Sequence, residues 1–219
     1  MPLRKVLIIG AGGFGREVLA SLLRSPECGQ SWAIGGFLDD DVKGAAERLR
    51  STGVEVPVIG SAVDHVPGGE YLYICAIGDP RTKLRISERL AGQGAEFINL
   101  VDPTAQIGPR CRMGVGNILM HYAGLTTDVQ LGNFVSLNRF VSVGHDAVVG
   151  DGCTLSSYCD VTGYVRLARG VFMGSHATVL PGAVVEEFCT VGAGSVVVRH
   201  ASAGKTVLGV PARVLNLRK

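Results

Sequence analysis

Two adjacent residues, His145 and Asp146, form the pair in this chain best suited to moving a proton. An imidazole titrates near neutrality and can take a proton from an attacking amine or hydroxyl. A carboxylate beside it can orient the ring and stabilise the imidazolium. A second cluster lies near the start. Gly10-Ala-Gly12-Gly-Phe-Gly15 fits GxGxxG, directly after a strand-like run and opening a helix-like one, and Asp39 follows later. A helix N-terminus in that setting offers free backbone N–H groups to a phosphate. On spacing alone, plainer readings stay open. The His-Asp pair is also compatible with a solvated polar corner, and the glycine loop with an NAD site or a structural tight turn.

The elements that must position His145 are set by a six-residue beat. Large aliphatics recur at Val101, Ile107, Met113, Leu119, Leu125 and every sixth position to Val197, without insertion or deletion. A fixed short period marks a repeat fold. Four residues after each aliphatic comes a smaller one, such as Ala123, Ala147, Cys153 or Ala177, and Gly often follows the aliphatic directly. Each hexad therefore reads as a short strand plus a turn, with the large residue inward and Gly permitting turn conformations that a Cβ would obstruct. One hexad buries almost nothing, but stacked hexads share a continuous core. In this phase His145 and Asp146 fall outside the inward position, on the outer surface or a corner. Gly163, eighteen residues on, is stacked beside His145 if three hexads make a coil. The lack of insertions implies that a second substrate is held by the N-terminal domain, not by a loop of the prism.

Residues 1–98 have a different grammar. Lys5–Ile9, Ala33–Leu38, Val56–Ile59 and Tyr71–Ile77 read as strands, Glu96–Ile98 as a possible last one, and Gly13–Leu23 and Arg81–Ala91 as amphipathic helices. The alternation predicts a small parallel α/β sheet, half of a doubly wound dinucleotide fold. The predicted organisation is an α/β Rossmann-like half-domain over 1–98 and an all-β parallel prism over 99–219.

Composition excludes several classes. A net charge of +2, from 21 basic and 19 acidic residues interspersed, gives no nucleic-acid arm. The N-terminal apolar run is too short for a signal peptide, and no stretch approaches a membrane span. These features predict a cytoplasmic chain with no nucleic-acid or membrane partner. Cys111, Cys153, Cys159 and Cys189 share one phase of the beat and read as free thiols in a tight core. His65, before Pro67, reads as a surface residue, and His200 as structural or exposed.

The beat resembles the hexapeptide acyltransferases, whose prism is a left-handed β-helix with three hexads per coil. That resemblance implies between five and six coils here, and the Leu208–Arg213 ending is similar to their C-terminal motif. The two-domain order, with GAGGFGRE, Phe37-Leu-Asp-Asp40 and the His-Asp pair, resembles the NeuD/PglD family of bacterial sugar acyltransferases. The resemblance implies an acetyl-CoA-dependent N-acetyltransferase acting on a nucleotide-linked amino sugar for surface glycans. A sugar O-acetyltransferase and a non-catalytic nucleotide-sugar-binding trimer are the alternatives. It further implies His145 and Asp146 as catalytic residues and the Gly163 N–H as oxyanion donor. Coenzyme A contacts are implied at Thr154, Gly163, Ser175 and Ala193, with Arg213 or Lys205 near its phosphates. The nucleotide-sugar contacts implied are Gly12, Gly13, Phe14, Asp39, Asp40 and Gly78, and the assembly implied is a homotrimer with its sites between prisms. Phe14 departs from the His that some members carry there, and Thr154 likewise from a His. No metal is expected: position 150 is Gly where a close His pair would need His, and His121 and His145 fall on different faces.

Overall fold

The computed structural model describes residues 3–215. Strands β1 (Arg4–Ile9), β2 (Trp32–Leu38), β3 (Val58–Gly60) and β4 (Tyr71–Cys75) form a parallel sheet in the order β3-β2-β1-β4. Helices α1 (Gly13–Arg24), α2 (Val42–Ser51) and α3 (Pro80–Gly92) connect and cover it. Val6, Leu7, Ile8 and Ile9 are all fully buried, as expected for the central strand of a two-sided sheet. Helix α2 is absent from the sequence reading. It buries only Ala45 and Leu49, one turn apart, in an otherwise polar stretch, so its apolar stripe is too thin to show. Its start is clear in the structure, where the Asp41 carboxylate caps it by accepting from Gly44 N at 3.1 Å. Glu96–Ile98 makes only a single bridge, Tyr73 to Phe97.

From Leu100–Val101 onward the chain climbs a prism of two-residue strands in three parallel sheets, as expected of a left-handed β-helix. The first face carries Ile118–Leu119, Ser136–Leu137, Thr154–Leu155, Phe172–Met173 and Thr190–Val191. The second carries Gly124–Leu125, Ser142–Val143, Asp160–Val161 and Thr178–Val179. The third carries Arg112–Met113, Gln130–Leu131, Val148–Val149 and Arg166–Leu167. The eighteen-residue pairing offset, Ser142 to Asp160 for example, confirms three hexads per coil. After Val197 the offset shortens to sixteen, with Val185 opposite Ala201 and Val191 opposite Val207, which is where the sequence beat stops.

The inward aliphatics from Leu119 to Val197 and the small residues between them form one continuous core. Cys153, Cys159 and Cys189 are buried in it as free thiols, and burial pushes Cys153 up to about 12. The glycines after the aliphatics have a different purpose from the one expected. Gly144 is not in the left-handed region; a Cβ there would lie 2.7 Å from Gly163 N, so its role is to let successive coils nest. The left-handed position falls two residues later and is often filled by Asp or an aromatic residue, as at Asp146, Tyr158 and Tyr164.

The N-terminal unit sits on the first face. Leu100, Ile118 and Met120 share a core with Val6, Val18 and Leu22. Lys83 of α3 is fully buried against the prism, donating to Ser136 Oγ (3.0 Å), Cys153 O (3.1 Å) and Thr154 Oγ1 (2.7 Å). At the adjoining corner the buried Asp102 accepts from Ser21 Oγ (2.6 Å) and from Arg24 Nη2 (2.7 Å) at the end of α1. These polar anchors fix how the two units meet.

Candidate active site at the prism corner

His145 lies at the corner between the second and third faces, just after Ser142–Val143. Its backbone is pinned on both sides: Tyr164 N donates to His145 O at 2.9 Å, and Asp146 N donates to Thr127 O at 3.1 Å. Asp146 adopts φ 59°, which turns its carboxylate back onto the preceding ring. His145 Nδ1 then donates to Asp146 Oδ2 at 2.9 Å. With Nδ1 holding the proton, Nε2 carries the lone pair, the form a general base needs. The two side chains remain about half exposed, at 52% and 43%, so the pair is open to a substrate. Tyr164 meets the imidazole edge-on, with ring centroids 5.0 Å apart at 90°.

The imidazole lies directly over Gly163. A Cβ there would be 2.6 Å from Nε2 and 2.7 Å from Cε1. Any side chain at 163 would occupy the space of the ring. The Gly163 N–H donates to no acceptor among the described residues. A base and an unused N–H donor thus lie side by side, the two parts that acyl transfer requires.

The other implied residues divide into groups. Ser175 and Ala193 come together at the corner between the first and second faces, where Gly194 N donates to Ser175 O at 2.9 Å. That is one corner away from His145 within the same chain. Thr154 is not brought to either corner. It is 2% exposed beneath α3, and its hydroxyl accepts from Lys83, so within one chain it offers no surface to coenzyme A. The reason is phase: Thr154 faces outward on the first face, which the N-terminal unit covers.

The glycine loop has the expected geometry. Gly10 has φ 96°, and a Cβ on Gly15 would lie 2.0 Å from Gly10 O, so α1 can only start this close to the turn with glycine there. Gly12 is the N-cap of α1 and makes no side-chain cap, leaving first-turn N–H groups for a ligand. Asp39 Oδ2 accepts from Ala11 N at 2.9 Å, which braces the loop. Asp40 turns away to Ser61 Oγ (2.8 Å) and Val63 N (3.0 Å). Phe14 is packed partly against the core, and Gly78 follows β4 beside the Asp79 cap of α3. The loop, Asp39 and Gly78 therefore share the carboxyl edge of the sheet, where open α/β sheets bind ligands.

Residues 5–90 match the family described as the PglD N-terminal domain. Across 217 residues the chain is 29% identical to the GDP-perosamine N-acetyltransferase of Escherichia coli O157:H7, covering 95% of each protein. The chain is a homologue of these hexapeptide acetyltransferases. PerB from Caulobacter crescentus, solved in complex with CoA and GDP-perosamine, superposes with a TM-score of 0.85 at 29% identity, covering 98% of this chain and 99% of that one. The acetyltransferase domain of PglB from Neisseria gonorrhoeae FA1090, in complex with acetyl coenzyme A, gives 0.85 at 27% identity, covering 98% and 100%.

Several residues that shape this acetyltransferase homologue escaped the sequence reading. Lys83 and Asp102 look like ordinary surface charges in sequence, and only the packing of the two units buries them. Burial lowers the Lys83 ammonium to about 8. Burial alone would raise the Asp102 carboxyl, but hydrogen bonds from Ser21 and Thr104, with the charge of His121, bring it below the usual carboxylate range. His65 was expected at the surface; instead it is half-buried, with Nε2 2.9 Å from Tyr73 Oη and its ring edge-on to Tyr71 and Tyr73. His200 is exposed and pairs with Glu186 at 3.0 Å.

Proposed function

We propose that the chain transfers the acetyl group of acetyl-CoA to the amine of a nucleotide-linked amino sugar, with His145 as general base. The observation that carries this is the His145–Asp146 hydrogen bond set above a glycine whose N–H is unused. The amine nitrogen attacks the thioester carbonyl, and Nε2 of His145 takes the proton the nitrogen loses. Asp146 stabilises the imidazolium. The tetrahedral oxyanion accepts from Gly163 N–H. Collapse breaks the C–S bond, and the imidazolium returns its proton to the departing thiolate of coenzyme A. Ser175 and Ala193 contact the coenzyme. Thr154 does so only where a neighbouring chain or a movement of α3 exposes it.

Residues 1–98 hold the nucleotide sugar in this reading, through Gly12, Gly13, Phe14, Asp39, Asp40 and Gly78, and residues 99–219 carry the transfer. PerB, solved with both CoA and GDP-perosamine bound, supports a chain that takes the two co-substrates together. His145 sits on the corner opposite the face that carries its own N-terminal unit, which supports a homotrimer whose sites lie between chains. Tyr122, Phe140, Tyr158 and His176 form an exposed stacked ladder, ring centroids 4.8–5.1 Å apart, beside Ser175, and suit such a contact. None of the described helices is long and apolar enough to cross a membrane. Free cysteines support a reducing, cytoplasmic setting, with a product destined for surface glycans.

The test is thiol release from acetyl-CoA with GDP-, UDP- and dTDP-linked amino sugars. One of these acceptors is expected to drive turnover in the wild type, and His145→Ala to lose about 10²–10⁴-fold. Full activity in His145→Ala would remove the histidine from the mechanism.

A further inference from the structure

A groove of about 770 Å³ runs along the third face from the catalytic corner. Arg110, Arg112, Gln130, Asp146, Tyr164 and Arg166 line it. Its charges are unevenly used. Arg110 is held by Asp128 through two short contacts, Nε to Oδ1 at 2.6 Å and Nη2 to Oδ2 at 2.7 Å. That pairing holds the Asp128 carboxyl at about 2, and so ionised. Asp146 is turned to His145. Arg112 and Arg166 are exposed and have no carboxylate partner among the described residues. They lie on one line of the sheet, in the order Arg112, Gln130, Val148, Arg166. At the usual strand spacing the two are about 14 Å apart. Both side chains can converge on an anion seated over Gln130 and Val148. Tyr164 is a wall of this groove and also packs on the His145 ring, so an anion there is one side chain from the base.

We propose that the groove binds the diphosphate of a co-substrate, with Arg112 and Arg166 supplying the unpaired charge; this rests on the acetyl-transfer reading above. A diphosphate is common to coenzyme A and to nucleoside-diphosphate sugars, and guanidinium groups are the side chains best matched to it. The two sources reach the base by different routes. A nucleotide sugar held by the N-terminal unit of a neighbouring chain lays its diphosphate in this groove and its sugar ring toward His145, whereas coenzyme A must run its pantetheine arm along the corner to bring the thioester back.

The experiment uses the full chain as wild type, R112A, R166A, the double variant and R50A, which removes a charge on exposed α2 away from the prism. Binding of CoA and of GDP-perosamine is measured by calorimetry, with and without inorganic pyrophosphate as competitor. The double variant is expected to weaken one of the two ligands by about 10–100-fold, leave the other within twofold, and lose the pyrophosphate competition for the first. R50A is expected to match wild type. The ligand that weakens identifies the source of the diphosphate. Twofold or smaller changes for both ligands overturn the proposal, as does wild-type protein that binds neither. Because the readout is binding, wild type that binds both but transfers no acetyl group removes the transferase reading while leaving the groove assignment standing.

Discussion

Replacing Gly163 by alanine tests the geometry of the site most directly. The new Cβ would lie 2.6 Å from His145 Nε2, whereas ordinary contact begins near 3.4 Å. The ring must therefore withdraw by about 0.8 Å, and a misplacement of about 1 Å at a reacting group costs on the order of 10²-fold in rate. A 10²-fold loss corresponds to about 2.7 kcal/mol of transition-state stabilisation. The fold should be indifferent. Gly163 is not among the residues in the left-handed region, so alanine fits its backbone. The His145 side chain is 52% exposed and can swing into solvent without leaving a cavity. The N–H donor is also retained, which isolates displacement of the base from loss of the oxyanion contact. The assay is kcat/KM for acetyl transfer alongside thermal unfolding. The expected result is a fall of about 10²-fold in kcat/KM with Tm nearly unchanged. If Gly163→Ala keeps activity within threefold of wild type, the ring over Gly163 is not the catalytic position and the argument for this corner fails.

Asp146→Asn keeps the shape but removes the charge that stabilises the imidazolium; kcat is expected to fall on the order of 10²-fold with little change in Tm. Lys83 is lowered to about 8 in the folded chain from an ordinary value of 10.5. Between these values the unfolded chain holds a proton that the folded chain has released, so stability rises with pH across this window and is flat below it. Urea titrations at several pH values should show wild type gaining on Lys83→Met between about 8 and 10.5, and the variant lacking that slope. Asp102→Ala leaves the Arg24 cation and two hydroxyls without their shared acceptor and is expected to cost about 3–5 kcal/mol, read as a large fall in Tm. The Asp102 carboxyl lies below its usual range, so its contribution is present above about pH 4 and lost as pH falls through the folded value.

Much of the architecture was legible because the repeat is local. A residue every sixth position faces inward whatever the remainder of the molecule does, so the inward aliphatics and the buried Cys153, Cys159 and Cys189 followed from spacing, whereas the three-hexad coil that stacks Gly163 under His145 followed from the family resemblance. The start of α1 was equally local, since Gly10 and Gly15 answer to a turn of a few residues. What failed to show were features that depend on two distant segments meeting. Thr154, a coenzyme contact by family resemblance alone, lies buried beneath α3, bonded to Lys83. His65 read as a surface residue, yet two tyrosines of β4 enclose it. The thin apolar stripe of α2 was invisible for a simpler reason, having just two buried residues.

By itself, then, the amino-acid sequence determined the stacked prism, its period, the tight glycine turn before α1 and the outward position of His145 and Asp146, because each rests on interactions within a hexad or a single turn. Only the tertiary structure decided which face the N-terminal unit covers. That choice buries Lys83 and Asp102 between segments far apart in the chain, beside the apolar core the two units share. It hides Thr154, leaves the His145–Asp146 corner on the opposite edge, and leaves Arg112 and Arg166 open along the groove beside it.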